Sequence, residues 1–299
     1  MYDAIVLGAG PAGLSAALVL GRCRRKVLVA DEGAPRNARS ASMNCYLTRD
    51  GVPPTEFLQL ARADLVAYTT VTIQQRTATS ARQVEGGFEV SFSDGTERCR
   101  RLLLATGVVD EVPDLQGIGA MYGRSVHHCP YCDAYQYVDQ PIAVYGRGAR
   151  VSGLAMTLRT WSTRLLICTD GPAELEAADR AMLERHGFPI REDRVLRLEG
   201  TGEQIERVVF ASGTPFECRA LFFSTGQRQR SSIPAALGCQ FNEKGVVRTG
   251  PAETTDVPGL FVAGDASKAT QFVIVAAAEG AEAACAINRS LEEEDRITE

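Results

Sequence analysis

The amino-acid sequence predicts an α/β protein with two doubly wound domains, the second inserted into the first. Three observations predict this fold. A strand, a glycine-rich turn, a helix and a second strand open the chain; a weaker copy of this order begins near residue 140; and a strand running into Gly-Asp lies close to the C-terminus. Because strands that alternate with helices form parallel sheets, the two copies predict two Rossmann-like domains.

The first copy occupies the opening of the chain. The strand Ala4–Leu7 leads into Gly8-Ala9-Gly10-Pro11-Ala12-Gly13, the helix Leu14–Leu20 follows, and the strand Val27–Ala30 ends on Asp31. The three glycines suit a tight turn, a close approach of the backbone to a pyrophosphate, and close packing of helix on strand. The helix start stabilises phosphates, and a carboxylate after the second strand accepts from ribose hydroxyls. We therefore predict a dinucleotide site, with a merely structural turn as the alternative.

The second copy has the same order of elements. The strand Ile142–Tyr145 precedes the run Gly146-Arg147-Gly148-Ala149-Arg150-Val151-Ser152-Gly153, a helix extends to about Trp161, and the strand Leu165–Cys168 ends on Thr169-Asp170. This recurrence predicts a second domain of the same class.

Each copy closes with a strand and a turn. Leu102–Leu104 precedes Ala105-Thr106-Gly107 in the first copy, and Leu221–Phe223 precedes Ser224-Thr225-Gly226 in the second. The tail adds a strand ending in Gly264-Asp265 and a helix from about Phe272 to Asn288. If the tail completes the first domain, that domain comprises 1–113 and 245–299, and the second comprises 114–244.

Length, composition and charge narrow the class of protein. The 299 residues suffice for two domains with separate cores, and 45% apolar with 23% charged residues is typical of a globular protein. A net charge of -5 disfavours nucleic acid or an anionic membrane as the main partner. The apolar run Phe272–Ala278 is too short for a membrane span. The N-terminus has no signal-peptide pattern, so a cytoplasmic location is expected.

Two of the nine cysteines form a close pair, Cys129 and Cys132. Two cysteines at this spacing open and close a disulfide with little backbone movement, and a helix start lowers the pKa of the first thiol. The other seven are interpreted as small buried hydrophobic residues: Cys23, Cys45, Cys99, Cys168, Cys218, Cys239 and Cys285.

A metal site is the competing interpretation of the cysteine pair, since His127-His128 adjoins it. Zinc requires four ligands, however, and the sequence contains no second C-x-x-C and no H-x-x-H. An inert buried pair is a further alternative. Redox chemistry without a metal is the favoured hypothesis.

Taken together, the motifs resemble those of the thioredoxin reductase branch of the FAD-dependent pyridine nucleotide–disulfide oxidoreductases. The resemblance covers essentially the whole chain, and its motifs are Gly8–Gly13, Asp31, Ala105-Thr106-Gly107, Cys129-Pro130-Tyr131-Cys132-Asp133 and Gly264-Asp265. A narrower similarity links the chain to the gliotoxin-type dithiol oxidases and the diflavin-linked disulfide oxidoreductases. It rests on Pro35-Arg36-Asn37, Leu47–Gly51, Pro53-Pro54, the tyrosine of Cys-Pro-Tyr-Cys and Cys168–Gly171, whereas Asn44-Cys45-Tyr46 departs from the oxidase pattern.

The resemblance implies bound FAD, a thiol or disulfide partner (protein or small molecule), and a homodimer. The residues implied to bind FAD are Gly8, Gly10, Pro11, Ala12, Gly13, Asp31, Ala105, Thr106, Gly107, Gly264, Asp265, Gln271 and Phe272. It further implies that Cys132 is the flavin-facing thiol and Cys129 the outer thiol that meets the partner. Asp133 would be the acid–base group that handles the thiol proton.

A second nucleotide site is a separate hypothesis, with Gly146, Gly148, Arg150 and Asp170 as its candidate residues. Val151 replaces the third glycine and would crowd helix against strand. Asp170 would repel a 2′-phosphate but suits a ribose diol, so NADPH is disfavoured while NADH or a second FAD is compatible. The alternative is that Asp170 caps a turn.

Three functions follow from these observations. The first is a dithiol oxidase or diflavin-linked oxidoreductase, in which thiols reduce FAD through Cys129 and Cys132. The second is an NAD(P)H-dependent thioredoxin reductase working in the opposite direction. The third is a nucleotide-binding regulatory protein without turnover, which the intact Cys-Pro-Tyr-Cys-Asp motif disfavours. We predict the first.

Overall fold

The computed structural model describes residues 1–298 of the chain. In chain order the strands are β1 Tyr2–Leu7, β2 Val27–Asp31, β3 Val71–Gln75, β4 Ala78–Val84, β5 Gly87–Phe92, β6 Gly95–Leu104, β7 Val108–Asp110, β8 Val126–His127, β9 Ile142–Tyr145, β10 Leu165–Cys168, β11 Ile190–Arg191, β12 Val195–Thr201, β13 Gln204–Phe210, β14 Phe216–Glu217, β15 Ala220–Phe223, β16 Gln227–Gln229 and β17 Leu260–Val262. The α-helices are α1 Pro11–Arg22, α2 Pro54–Leu65, α3 Ile118–Met121, α4 Pro130–Asp133, α5 Gly148–Leu158, α6 Ala177–Arg185, α7 Ile233–Ala236 and α8 Val273–Thr298. Short 3-10 helices cover Ala134–Tyr137, Pro251–Glu253 and Gly264–Ala266.

The chain divides into two compact units. The first contains Met1–Ala38, Tyr46–Val109 and the residues from Arg228 onward, and the second contains Arg39–Cys45 and Asp110–Gln227. Residues 228–244, which the sequence analysis assigned to the second domain, therefore lie in the first unit. They do so because Ile233 and Cys239 pack into its core.

The first unit is built on a sheet with the strand order β3-β2-β1-β6-β5-β4, in which β17 also pairs with β6. The start of β6 pairs antiparallel with β5, whereas its end lies parallel to β1 and β17. Both faces of β1 are buried: Ala4 and Val6 pack in one apolar cluster, and Ile5 and Leu7 pack in another. A strand covered on both sides needs a continuous apolar run, and this explains the opening of the sequence.

The second unit contains a parallel sheet with the strand order β11-β10-β9-β15-β8. A separate antiparallel sheet, β12-β13-β14, accompanies it. The predicted strands Ile142–Tyr145 and Leu165–Cys168 are confirmed with the same bounds. Between them α5 ends at Leu158, a little before the expected Trp161.

The last helix is longer than the sequence analysis predicted, since α8 continues past Asn288 to Thr298. Leu291 is fully buried in the core of the first unit. Asp295 forms ion pairs with Arg25 at 2.9 Å and with Arg100 at 2.5 Å. These long-range contacts stabilise helical turns that the charged sequence alone does not favour. Within residues 1–298, no helix is both long and apolar enough to cross a bilayer.

Candidate active site

The carboxyl ends of the parallel strands meet at one edge of the sheet in the first unit. Leu7 of β1 is in register with Leu104 of β6, which pairs in turn with Val262 of β17. Asp31 ends β2 at the same edge. The following turns carry the predicted motifs Gly8–Gly13, Ala105-Thr106-Gly107 and Gly264-Asp265. Ligands of parallel α/β sheets bind at such an edge, so the fold brings these motifs to one candidate site.

The glycine-rich turn leaves no space for side chains at two of its three glycines. Gly8 has φ +106°, and a Cβ there would lie 2.3 Å from the carbonyl oxygen of Ala105. A Cβ on Gly13 would lie 1.9 Å from the carbonyl oxygen of Gly8. At Gly10, in contrast, nothing lies within 4 Å of an added Cβ. Gly8 and Gly13 therefore shape the turn, while Gly10 faces open space at the start of α1.

Asp31 is engaged with the same turn. Its Oδ1 accepts a hydrogen bond from the N–H of Ala9 at 2.8 Å, and its Oδ2 accepts from the N–H of Gly33 at 3.1 Å. Arg62 of α2 also contacts Oδ2, at 3.2 Å. A carboxylate offers about four lone-pair positions, so these three contacts leave about one acceptor for a ribose hydroxyl. Ribose binding by Asp31 stays a prediction, and Arg62 is a neighbour that the sequence did not reveal.

Thr106 provides an independent test of whether FAD suits this edge. Its hydroxyl is buried and has no hydrogen-bond partner within the described residues. Buried hydroxyls are nearly always paired, so this one marks a place where a polar ligand group is expected. Gly107 beside it has open space at its α-carbon, as Gly10 does. The residues present therefore fit a dinucleotide such as FAD, with its phosphates at the start of α1.

Arg36 joins two of the predicted cofactor residues. Its Nη1 lies 2.8 Å from Asp265 Oδ2 and donates to Gln271 Oε1 at 2.7 Å. The sequence showed Arg36 only as part of a family motif, without its partners. Gln271 and Phe272 precede α8 rather than open it, and the Phe272 carbonyl accepts from the N–H of Ala276 at 2.9 Å.

A buried acid, Glu279 of α8, lies behind the Gly264-Asp265 turn. It is only 5% exposed, and its Oε2 accepts a hydrogen bond from the N–H of Gly264 at 2.7 Å. Burial raises the pKa of Glu279 to about 7, and the negative charge of Glu253 contributes to the rise. Lys268 opposes it but is shared, since its Nζ lies 3.0 Å from Glu253. In the sequence, Glu279 was only the residue that ended an apolar run.

Glu279→Gln is expected to stabilise the protein near pH 8 and to change its stability little near pH 4. A carboxyl group whose pKa is raised by folding favours the folded state below its ordinary value of 4.5. That contribution is lost as the pH rises through about 7. Above that pH the ionised group costs on the order of 2–3 kcal/mol, which the neutral amide avoids. Urea unfolding at both pH values, with excess FAD, measures the difference. Equal gains at both would show that ionisation is not the cause.

The redox pair lies in the second unit, where Cys129 and Cys132 form a disulfide with Cα atoms 5.3 Å apart. Cys129 is the N-cap of α4, and Pro130 occupies the first helical position. The Cys129 Sγ accepts a hydrogen bond from the N–H of Cys132 at 3.2 Å. This donor would also stabilise a thiolate on Cys129 after the disulfide opens.

Asp133, at the end of α4, faces a buried histidine. Its Oδ2 lies 3.3 Å from Nδ1 of His127, a β8 residue that is 6% exposed. The Nε2 atom of the same ring lies 3.1 Å from the hydroxyl of Tyr137, which donates to the carbonyl of Arg124 at 2.9 Å. Burial and the charge of Asp133 raise the pKa of Tyr137 to about 12, so its hydroxyl stays protonated. The sequence analysis considered His127 only as a metal ligand.

The segment 39–45 contacts the redox pair within the second unit. Asn44 Nδ2 donates to the carbonyl of Cys132 at 2.7 Å, and the Cys45 thiol donates to the carbonyl of Tyr131 at 3.4 Å. Cys45 has φ +64°, a left-handed conformation that costs a non-glycine residue roughly 1–2 kcal/mol. The sequence had marked this stretch only as a departure from a family pattern.

The remaining cysteines fall into two groups. Burial raises the thiol pKa in one group, which therefore stays protonated: Cys99, Cys168, Cys218 and Cys239. The expectation of burial is wrong for the exposed group, which comprises Cys23, Cys45 and Cys285. Cys23 follows the end of α1 and Cys285 lies on α8, where the burial of a single position depends on how the helix packs. Across residues 1–298, no group of three or more His, Cys, Asp or Glu side chains is arranged to hold a metal ion.

The glycine-rich turn of the second unit differs from that of the first. Val151 takes the position of the third glycine and is completely buried. A Cβ on Gly146 would lie 3.4 Å from the Val151 Cβ, so a side chain separates α5 from its turn. The N–H of Gly148 donates to the carbonyl of Ala173 at 2.8 Å. The second turn is therefore less suited to holding a pyrophosphate closely.

Asp170 is held by protein donors on both of its carboxylate oxygens. Oδ1 accepts from the N–H of Val195 at 2.7 Å, and Oδ2 accepts from the Tyr145 hydroxyl at 3.1 Å. The guanidinium of Arg147 crosses the same strand end, because it donates to the carbonyl of Thr169 at 2.8 Å and to that of Asp170. Because a carboxylate offers about four lone-pair positions, the two donors to Asp170 give it a structural role without by themselves excluding a ribose. The contacts of Arg147 put its guanidinium where an adenosine ribose would otherwise approach β10.

The first unit thus has the fold and the motifs of a dinucleotide-binding domain, and the second carries a disulfide of the redox type. A family model described as pyridine nucleotide-disulphide oxidoreductase matches residues 2–280. The chain belongs to this family.

Individual relatives narrow the assignment. A protein named "Probable thioredoxin reductase" from Arthroderma benhamiae is 30% identical over 307 residues, which cover 89% of this chain and 74% of that protein. The crystal structure of HlmI matches with a TM-score of 0.94 at 33% identity, covering 99% and 94% of the two chains. An oxidoreductase from Agrobacterium tumefaciens matches with a TM-score of 0.89 at 32% identity, covering 97% and 98%. The chain is a thioredoxin reductase-like flavoprotein oxidoreductase acting on sulfur groups, which confirms the predicted fold class and family.

Proposed function

We propose that the protein is a dithiol oxidase or a diflavin-linked disulfide oxidoreductase that works without an ordinary NADPH site. Thiols would reduce FAD through the Cys129–Cys132 disulfide, and the electrons would leave to oxygen, a second flavin or another acceptor. The observation that carries this proposal is the coverage of the end of β10 by Arg147. Because the adenosine of a second FAD would approach the same strand end, this observation favours the dithiol oxidase over the diflavin type.

Charge supports the same conclusion. A site for NADPH needs cations around the 2′-phosphate, but Asp170 follows β10 closely and would repel that phosphate. The cation at this strand end, Arg147, is held by backbone carbonyls and is paired with Glu174 at 3.4 Å. Arg150, a candidate for a phosphate contact, donates instead to the carbonyl of Thr225 at 3.3 Å. An NAD(P)H-dependent thioredoxin reductase is the second candidate, and the name of the Arthroderma benhamiae relative favours it.

The roles in this proposal are those that the family resemblance implies. Cys129 meets the external thiol, Cys132 transfers electrons to and from the flavin, and Asp133 handles the thiol proton. Bound FAD would supply the two-electron carrier. The residues proposed to hold it are Gly8, Gly10, Pro11, Ala12, Gly13, Asp31, Ala105, Thr106, Gly107, Gly264, Asp265, Gln271 and Phe272. We also propose a homodimer, and we propose that the first unit is the FAD-binding domain.

Anaerobic rapid mixing with dithiothreitol, NADH or NADPH, followed by flavin bleaching, tests the proposal. We expect dithiothreitol to bleach the flavin and NADPH to act at least about 100-fold more slowly, which corresponds to about 2.7 kcal/mol. Rapid bleaching by NADPH would refute the proposal and favour the thioredoxin reductase. Failure of all three reductants would favour the regulatory alternative.

Arg147→Ala sharpens the same experiment. Removing the guanidinium uncovers the end of β10, so bleaching by NADH is expected to rise about tenfold. NADPH should gain less, because Asp170 remains and repels a 2′-phosphate. An unchanged response to NADH would show that Arg147 does not block the crevice.

A further inference from the structure

We propose that His127 and Tyr137 form a proton relay with Asp133, and that this relay stores one proton beside the Cys129–Cys132 disulfide. The inference deepens the proposed function and rests on it, because it takes Asp133 as the acid–base group of the redox pair. His127 and Tyr137 are positioning residues here, since they act on the disulfide through Asp133.

The hydrogen bonds of the Tyr137 hydroxyl determine whether Nε2 of the His127 imidazole carries a proton. The Arg124 carbonyl oxygen can only accept, and it lies 2.9 Å from the Tyr137 hydroxyl. The single hydroxyl proton therefore points to Arg124. The hydroxyl oxygen is left as an acceptor for Nε2 of His127 at 3.1 Å, so Nε2 must carry a proton.

A proton on Nε2 constrains the other side of the ring. If His127 were neutral, its Nδ1 would turn a bare lone pair toward Asp133 Oδ2 at 3.3 Å. Two facing lone pairs repel each other strongly in a buried site, and this histidine is 6% exposed. The contact becomes attractive when one proton lies between the two atoms, held either by the imidazole or by the carboxyl group. The pair thus holds one proton more than a neutral His127 beside an ionised Asp133.

The groups around His127 are consistent with this arrangement. The ring packs on Phe222 of β15 with centroids 5.3 Å apart, which excludes water without adding charge. Arg219, just before β15, is a cation whose charge opposes the rise in the pKa of Tyr137. The guanidinium of Arg124 is paired with an exposed glutamate at 3.4 Å. Asp133 therefore supplies the negative charge that meets the imidazole.

The stored proton has a defined use in thiol–disulfide exchange. When a substrate thiolate attacks Cys129 Sγ, a new S–S bond forms there and the bond to Cys132 breaks. Cys132 leaves as a thiolate and takes the stored proton, so Asp133 becomes ionised beside a neutral His127. The second thiol of the substrate then returns a proton to the pair as it attacks the mixed disulfide. Oxidised substrate and a Cys129 thiolate are released, and the proton count balances.

Tyr137→Phe tests the relay because it removes the acceptor that keeps the proton on Nε2. His127 can then carry its one proton on Nδ1 and donate it to ionised Asp133, so no extra proton is stored. We compare the pH above which the rate of disulfide opening by dithiothreitol declines. In Tyr137→Phe this decline is expected to begin about one pH unit lower or more, and the rate above that pH to be at least about tenfold below that of the wild type. Rapid alkylation of the new thiols measures the opening without using the flavin. The ratio of variant to wild-type rates cancels the ionisation of dithiothreitol itself.

Tyr135→Phe is the matched control, since Tyr135 lies on the same 3-10 helix and is 75% exposed. Its pH profile should match that of the wild type. If dithiothreitol does not open the disulfide of the wild-type protein, the proposed function fails. If it does, but Tyr137→Phe has the wild-type profile, the relay alone is refuted.

A direct readout of the proton is ¹⁵N NMR of the histidine rings in the oxidised protein. The chain has three histidines, so the loss of one signal in His127→Phe assigns His127. The relay predicts a protonated Nε2 in the wild type and a shift of the proton to Nδ1 in Tyr137→Phe. A wild-type ring that is protonated only on Nδ1 would overturn the proposal.

Discussion

Replacing Cys129 or Cys132 with serine is expected to slow flavin reduction by dithiols at least about a thousandfold. Each serine variant lacks the disulfide that a thiolate attacks, and a serine hydroxyl neither forms that bond nor ionises near neutral pH. The fold should persist, because the two apolar clusters of the second unit contain neither of these cysteines. Anaerobic stopped-flow spectroscopy of the flavin measures the loss.

The two serine variants should differ in their reaction with glutathione disulfide. In Cys132→Ser the remaining thiol is the proposed outer one, and the N–H of residue 132 that contacts the Cys129 sulfur at 3.2 Å favours its thiolate. We therefore expect a glutathione adduct on Cys129 to form faster than one on Cys132 in the Cys129→Ser variant. Mass spectrometry follows both. The reverse order would exchange the inner and outer roles. Cys285→Ser, which removes an exposed cysteine of α8, serves as the control and should have its flavin reduced by dithiols at the wild-type rate.

Gly10→Asp is expected to give a folded protein that has lost its flavin. Gly10 is the N-cap of α1, has an extended backbone with φ -76°, and leaves open space around an added Cβ. Aspartate is a favourable N-cap, so α1 should form at least as well. Its charge, however, would stand where the phosphates of FAD are proposed to bind, and affinity should fall at least about 100-fold, or about 2.7 kcal/mol.

Flavin content after purification, the dissociation constant of FAD and far-ultraviolet circular dichroism measure this outcome together. Gly10→Asn has nearly the same shape without the charge, and its affinity should fall much less. Wild-type affinity in Gly10→Asp would show that the start of α1 does not bind the phosphates. A lost helical signal would instead mean that the substitution acts on folding.

The sequence predicted the fold well because its signals are local. The spacing of Gly8, Gly10 and Gly13 is set by one turn and by the helix that rests on it, so the pattern determines the geometry. The continuous apolar run of β1 likewise follows from burial on both faces. The spacing of Cys129 and Cys132 likewise predicts that the two residues form a disulfide with each other.

The rest of the candidate site depends on contacts between residues far apart in the chain. Asp170, for example, accepts a hydrogen bond from the N–H of Val195, the first residue of β12. The glycine-rich motif and the strand after it carry no information about where β12 packs. Likewise, the contact of Arg36 with Asp265 spans most of the chain. His127 is assigned a proton by Tyr137 only once α4 and the 3-10 helix have folded beside β8. Side-chain partners of this kind follow from tertiary packing and leave no local signal.

An anaerobic reductive titration tests most directly whether thiols reach the flavin through the Cys129–Cys132 pair. The account predicts that a wild-type chain with one flavin consumes about two equivalents of dithiol per flavin, one for the disulfide and one for the flavin, since each is a two-electron couple. A chain with two flavins would consume about 1.5 equivalents per flavin. It also predicts that NADPH, added in the same amounts and for the same time as the dithiol, leaves most of the flavin oxidised. Complete bleaching by about one equivalent of dithiol, or stoichiometric bleaching by NADPH, would contradict the account.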